Sequence, residues 1–174
     1  WIETVNAAYL NLKKGYKNIF VLGESMGGLL SLYLASKYND IRGIMLFAPA
    51  LKIHKIWEAN FMWPFIPYQV KKNIDLKSPW QGYTVVPLHA ASQLNKLQKI
   101  IRRKLRDITQ PILIFQGKLD TTIEPSGAVE VFENVRAEAK QFFWLKDSSH
   151  CILIDKELDF VEETCLEFIQ SQIA

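Results

Sequence analysis

Ile19-Phe20-Val21-Leu22-Gly23-Glu24-Ser25-Met26-Gly27-Gly28 is the stretch on which the reading of the fold turns. Ile19 to Leu22 form an unbroken apolar run, as expected of a short strand buried on both faces of a parallel sheet. Gly23 to Gly27 then fit the pattern G-x-S-x-G, and Met26 to Tyr38 read as a Leu-rich helix with small residues on one side (Gly27, Gly28, Ser31, Ala35). Gly and Ser are common, so the pattern alone says little. Placed between a strand and a helix it marks a nucleophile elbow. A serine there sits in a tight, strained turn, and glycines two before and two after it remove side chains that would strike strand and helix. The helix N-terminus behind Ser25 presents backbone N–H groups and a partial positive charge, which makes the Met26 N–H the natural first donor to an oxyanion. The plainer readings are a Gly-rich turn without chemistry or a phosphate loop. The second is weakened because neither G-x-G-x-x-G nor Gly-Lys-Ser/Thr follows.

Working outward, strands and helices alternate. Ile2, Val5, Ala8, Tyr9 and Leu12 share one face of a helix that runs to about Lys14, with Gly15 as its expected C-cap. Further strands are predicted at Gly43–Phe47, closed by Ala48-Pro49-Ala50, at Ile112–Gln116, closed by Gly117, and at Gln141–Leu145. Helices are predicted at Ser126–Asn134 and Glu157–Gln170. Such alternation implies an α/β fold, a parallel sheet with flanking helices and right-handed crossovers. Residues 51–109 break it, and are read as a mostly helical cap inserted between core segments 1–50 and 110–174. They carry Trp57, Phe61, Met62, Trp63, Phe65, Tyr68, Trp80 and Tyr83, punctuated by Pro64, Pro67, Pro79 and Pro87. These aromatics make either an apolar wall for an acyl group, led by Trp57, Phe61, Trp63 and Phe65, or the cap's own core. Both readings stay open.

A serine nucleophile needs a base to take its proton and an acid to orient that base. Asp120 follows the predicted strand Ile112–Gln116 in the turn Gly117-Lys118-Leu119-Asp120, and His150 follows Gln141–Leu145 in the loop Lys146-Asp147-Ser148-Ser149-His150. The order Ser, Asp, His and the placement of all three after parallel strands let them converge at one sheet edge. Each alone has a bland reading, as a turn former or a solvated histidine. Asp147 reads as a cap of the histidine turn, and Glu124 as a residue orienting the cap or a loop. His54 and His89 fall in the cap, as surface or packing histidines. Cys151 abuts the base but has no elbow of its own.

On Gly23-Glu24-Ser25-Met26-Gly27-Gly28, Phe115-Gln116-Gly117-Lys118-Leu119-Asp120 and Asp147-Ser148-Ser149-His150 with Ile152-Leu153-Ile154-Asp155, the sequence resembles the α/β-hydrolase family, in its carboxylesterase and monoacylglycerol-lipase-like branch. The resemblance implies a nucleophilic Ser25, an acid Asp120, a base His150, and no metal or organic cofactor. It also implies further strands ahead of the first helix and a loop giving a second oxyanion donor. Nothing here matches that loop, so an upstream segment or a second chain is expected to complete the sheet; a fragment inactive without it is the other expectation.

Composition agrees with a globular domain: 174 residues, 49% hydrophobic, 22% charged, and a formal net charge of +3 that gives no sign of nucleic acid. Cys151 and Cys165 lack ligand spacing and read as free thiols of a reducing, cytoplasmic compartment. No apolar run reaches the roughly 18 residues a membrane span needs. Lys96, Lys99, Arg102, Arg103, Lys104 and Arg106 accompany Leu94, Leu97, Ile101 and Leu105 at helical spacing. A solvated helix face fits them more simply than a helix in weak contact with an anionic lipid surface. The expected activity is hydrolysis of small-molecule esters with an apolar acyl group. An acyltransferase, a thioesterase or a non-catalytic binding module on the same fold are the alternatives.

Overall fold

The computed structural model describes residues 1–71 and 82–173; Pro79 and Trp80 lie outside them. Within these bounds the elements are α1 (Ile2–Leu12), β1 (Phe20–Glu24), α2 (Met26–Lys37), β2 (Gly43–Phe47), α3 (Ala59–Met62), β3 (Tyr68–Val70), β4 (Val85–Pro87), α4 (Leu88–Lys104), β5 (Ile112–Gly117), α5 (Ser126–Asn134), β6 (Lys140–Leu145) and α6 (Leu158–Ile173). Strands β1, β2, β5 and β6 lie in that order in one sheet, and every pairing is parallel. In register, Glu24 faces Phe47, Phe47 faces Phe115, and Gly117 faces Leu145. The C-terminal ends of all four strands therefore share one edge, where an open α/β sheet places its ligand.

Alternation along β2 and β5 builds two cores. Ile44, Leu46, Ile112 and Ile114 pack with Leu29, Leu32 and Ala35 of α2 and with Ala128 and Val131 of α5. Met45, Phe47, Leu113 and Phe115 pack on the other face with Val161 and Phe168 of α6. Both faces of β2 and β5 are thus covered, which explains why their sequences are continuously apolar. The edge strand β1 is different. Val21 packs on the α2 side and Phe20 on the α6 side, but Leu22 is 59% exposed, so the strand read as buried on both faces is left open at its C-terminal end. Helix α1 also ends earlier than expected. Its C-cap is Lys13, and no positive φ occurs at a glycine among the described residues, so Gly15 is not a left-handed cap.

Residues 51–109 do not form one layer. A 3₁₀ turn at Ile56–Glu58, α3 and the antiparallel pair β3–β4 make up the first part. Proline spacing hid that hairpin, because Pro87 sits at the edge position where a strand tolerates proline. Helix α4 then returns to the core, with Leu97, Ile101 and Leu105 buried among the α2 and α5 side chains. That burial favours the solvated-face reading of the basic helix. Its apolar stripe is packed within the fold, and Lys96, Lys99, Arg103 and Arg106 lie on the exposed side. Arg102 turns inward instead, donating to Glu130 and to the Leu51 carbonyl.

Ile101→Ala is expected to destabilise the fold by about 2–5 kcal/mol, as for a fully buried aliphatic side chain. Phe65→Ser, at a site 86% exposed, should stay within about 0.5 kcal/mol. Urea unfolding midpoints measure both. Equal shifts would contradict this division of residues 51–109.

Candidate active site

Ser25 occupies the turn between β1 and α2 with φ 55° and ψ −116°, a conformation that non-glycine residues rarely adopt. Three backbone hydrogen bonds hold it there. Its N–H donates to the Phe47 carbonyl (2.9 Å), and its carbonyl accepts from Gly28 (3.2 Å) and Ala50 (3.1 Å). Strain at the serine is therefore set by the end of β2. The glycine requirement is uneven. A Cβ at Gly23 would run into the carbonyl of Gly27, whereas one at Gly27 would meet nothing within 4 Å. The expectation that both glycines clear side-chain collisions holds for Gly23; at Gly27 it is the backbone that Gly23 abuts.

The side chain of Ser25 meets His150 and Asp120. The Ser25 Oγ to His150 Nε2 distance is 3.0 Å, and His150 Nδ1 lies 2.9 Å from Asp120 Oδ2. Asp120 is buried and accepts four hydrogen bonds. The N–H groups of Thr122 (2.8 Å) and Ile123 (3.1 Å) bind Oδ1; His150 and the Gln116 amide (3.1 Å) bind Oδ2. Burial by itself would raise the Asp120 pKa. The His150 contact and the Ile123 and Thr122 N–H groups outweigh it, so the carboxyl is held below its usual range as an anion. An anion there fixes which imidazole nitrogen carries the proton and leaves Nε2 free to accept one from Ser25.

The loop carrying His150 is stapled by two acids that sequence reasoning passed over. Glu157 accepts from the Lys146 and Asp147 N–H groups and from the Ser148 hydroxyl (2.6 Å). Asp155 accepts from the Ser149 N–H and hydroxyl, both at 2.7 Å. Asp147, expected to cap this turn, is exposed, and its backbone is held by Glu157. The signal was present as two acids five and seven residues past His150, because loop N–H groups without strand partners need acceptors. Glu24, the middle residue of the elbow's first half, reaches across to accept from the Leu153 N–H (3.3 Å). Burial raises its pKa, with that N–H opposing. Burial also raises the Cys151 thiol, helped by Glu24, Asp120 and Asp155, so it is no thiolate nucleophile.

A cavity of about 590 Å³ opens beside the elbow, lined by Met26, Ile53, Ile56, Leu88, Leu94 and Thr122 among others. The four cap aromatics expected to form its wall lie elsewhere. Trp57, Phe61, Trp63 and Phe65 are all exposed, with Trp57 and Phe61 edge to face and Trp63 against His89. The wall is largely aliphatic, with Trp1 at its margin, because α4 and the 51–56 segment, not the 57–65 aromatics, face the elbow. His54 does line the cavity, and Glu124 pairs with Lys52 (2.8 Å), which ties the segment after β2 to the loop after Asp120.

The sequence model of the family described as serine aminopeptidase, S33, matches residues 2–78 and 76–157. The chain belongs to this α/β-hydrolase family. It is 33% identical over 172 residues to a thermostable monoacylglycerol lipase of Bacillus sp. (strain H-257), covering 97% of this chain and 69% of that protein. It is 28% identical to a carboxylesterase of Bacillus subtilis (strain 168), covering 98% and 71%. Among solved structures, a monoacylglycerol lipase from Paleococcus ferrophilus superposes with a TM-score of 0.80 at 18% identity, covering 98% of this chain and 74% of the other, which shows the α/β-hydrolase fold. No helix of the described residues is long and apolar enough to cross a membrane.

The staple has a pH consequence. For Asp155 and Glu157 burial raises the pKa, but the Ser149 and Ser148 hydrogen bonds and neighbouring N–H groups outweigh it, and both lie below the ordinary range. A depressed folded-state value adds stability that is complete above the unfolded value, about 4, and is lost as pH falls through the folded one. Unfolding midpoints of the wild type should drop below about pH 4, and Asp155→Asn with Glu157→Gln should flatten that drop. An unchanged pH dependence in the double variant would refute the staple.

Proposed function

We propose that this α/β-hydrolase is a serine hydrolase of carboxylic esters with an apolar acyl group, working through Ser25, His150 and Asp120. The observation that carries the reading is the unbroken hydrogen-bonded line from Ser25 Oγ through His150 to Asp120, at a serine held in a strained elbow. His150 Nε2 takes the hydroxyl proton as Ser25 Oγ attacks the ester carbonyl, forming a tetrahedral oxyanion. The Met26 N–H, at the first turn of α2, faces that charge as an oxyanion donor. Collapse expels the alcohol, which leaves with the proton from His150, and an acyl-Ser25 ester remains. Water activated by His150 then hydrolyses it, while the Asp120 carboxylate stabilises the imidazolium in both halves.

The family description names a peptidase, whereas the relatives named above are a lipase and an esterase. The cavity supports the ester reading. Its wall beside Met26 is aliphatic, which suits an acyl chain, and the one acid among its described lining residues, Glu58, is accompanied by Lys55 and His54. A recess for a substrate ammonium would call for unbalanced acid. We read the part of residues 51–109 ahead of α4 as the cap over this cavity. The exposed edge of β1 would take a further strand, from elsewhere in the protein or from another chain, and a second oxyanion donor would come with it.

With a chromogenic short-chain ester the protein should show an acyl-enzyme burst and label with a fluorophosphonate. Ser25→Ala should remove both and slow turnover by at least about 10³-fold. A burst that survives this substitution would sink the reading. Ala91→Trp, which fills the cavity from α4, should cut kcat/KM for an octanoyl ester by about tenfold while sparing the acetyl ester.

A further inference from the structure

Gln116 interrupts an otherwise apolar strand. Ile112, Leu113, Ile114 and Phe115 precede it in β5, and like them it is 0% exposed. By alternation it belongs to the same face as Ile112 and Ile114, where an aliphatic side chain would pack without cost. Its amide is only half satisfied. Nε2 donates to Asp120 Oδ2 (3.1 Å) and to the Gly117 carbonyl (3.2 Å), while Oε1 is buried and no donor among the described residues reaches it. A buried acceptor without a partner is destabilising, so the amide must be retained for something the other end does. Swapping oxygen and nitrogen would set Oε1 against the Asp120 carboxylate, so the orientation is fixed by charge.

We propose that Gln116 is the positioning residue of the acid, a core amide whose N–H locks the plane of the Asp120 carboxylate so that Oδ2 stays aimed at His150. This rests on the Ser25–His150–Asp120 reading. The two N–H groups of Thr122 and Ile123 hold Oδ1 alone, and a carboxylate held at one oxygen can still swing the other. Gln116 pins Oδ2 from beneath, at the oxygen that also binds the imidazole. An amide N–H suits this task because it does not titrate: it donates at every working pH and never competes with His150 for a proton. Gly117 adds the second constraint. A Cβ there would strike the Ser148 and Ser149 carbonyls, so the strand end that carries Gln116 is packed directly on the loop that carries the base.

The test uses the full chain and three measurements on wild type, Gln116→Met and Gln116→Glu: fluorophosphonate titration of sites, steady-state hydrolysis of a chromogenic ester per titrated site, and thermal unfolding. Gln116→Met removes the donor and the orphaned acceptor together. It should lower kcat about tenfold, which corresponds to about 1.4 kcal/mol of barrier. KM should stay within about twofold and Tm should not fall. Gln116→Glu keeps the shape and decides the matter if the Met variant fails to fold. Its carboxyl faces Asp120 and, beyond it, His150. It should donate while protonated and repel once ionised, adding a descending alkaline limb absent from the wild type. Wild-type kcat per site in Gln116→Met, or a lowered Tm with kcat unchanged, overturns the assignment, as does a wild-type pH profile in Gln116→Glu. A labelled wild type with unaffected variants overturns the Gln116 role alone. An unlabelled wild type overturns the reading of the site and this role with it.

Discussion

The site depends on the contact between Gly23 and the backbone of Gly27, closed by the hydrogen bond from the Ser25 N–H to the Phe47 carbonyl. A strand cannot turn directly into a helix within one residue unless the two ends nearly touch. They touch here because Gly23 has no side chain. The cost of the turn is concentrated at Ser25, whose φ of 55° persists because β2 supplies the neighbouring bond and the Ala48-Pro49-Ala50 segment supplies another. The same closure starts α2 at Met26, so the strained residue, its half-buried hydroxyl and the N–H behind it come from one geometric act.

A parallel register extends that act across the sheet. Because all four strands run the same way, every loop that leaves their C-terminal ends opens on one edge, and the turn after β5 lies beside the loop after β6. What the sheet does not provide is precision in the loops. That comes from carboxylates accepting backbone N–H groups: Asp120 from Thr122 and Ile123, Asp155 from Ser149, Glu157 from Lys146 and Asp147, Glu24 from Leu153. Loop backbone has no ladder to satisfy it, so buried or half-buried acids replace the missing strand. The proposed base is therefore set in place by a ring of carboxyl groups, one of which it also binds.

The segment between β2 and β5 divides its side chains by the opposite logic to the one its composition suggests. Large aromatics face outward and small aliphatics face the cavity. The aliphatic side chains this segment turns inward leave space that its own Trp and Phe side chains would fill, so a recess of about 590 Å³ can survive beside Met26. Helix α4 serves both regions. Its N-terminal residues line the recess, and its C-terminal half is bound into the α2–α5 core.

Much of this was legible in the sequence. The apolar runs of β2 and β5, the elbow and the order of Ser25, Asp120 and His150 are local patterns, because period and chain order are one-dimensional properties. The sequence could not say that β1 is exposed at Leu22, that the Trp57–Phe65 aromatics turn away from the recess, or that Leu97 and Ile101 are already packed. Burial depends on which surfaces meet, and amphipathic spacing looks the same against a core as against a lipid surface. The roles of Glu157, Asp155 and Gln116 were hidden for the same reason. Their partners are loop N–H groups and a carboxylate, and only the folded chain brings these within 3 Å or so of them. The sequence alone determined the α/β-hydrolase order of strands and the residues able to act at their ends. The tertiary structure decided what holds those residues still, because that is a matter of distance between chain segments.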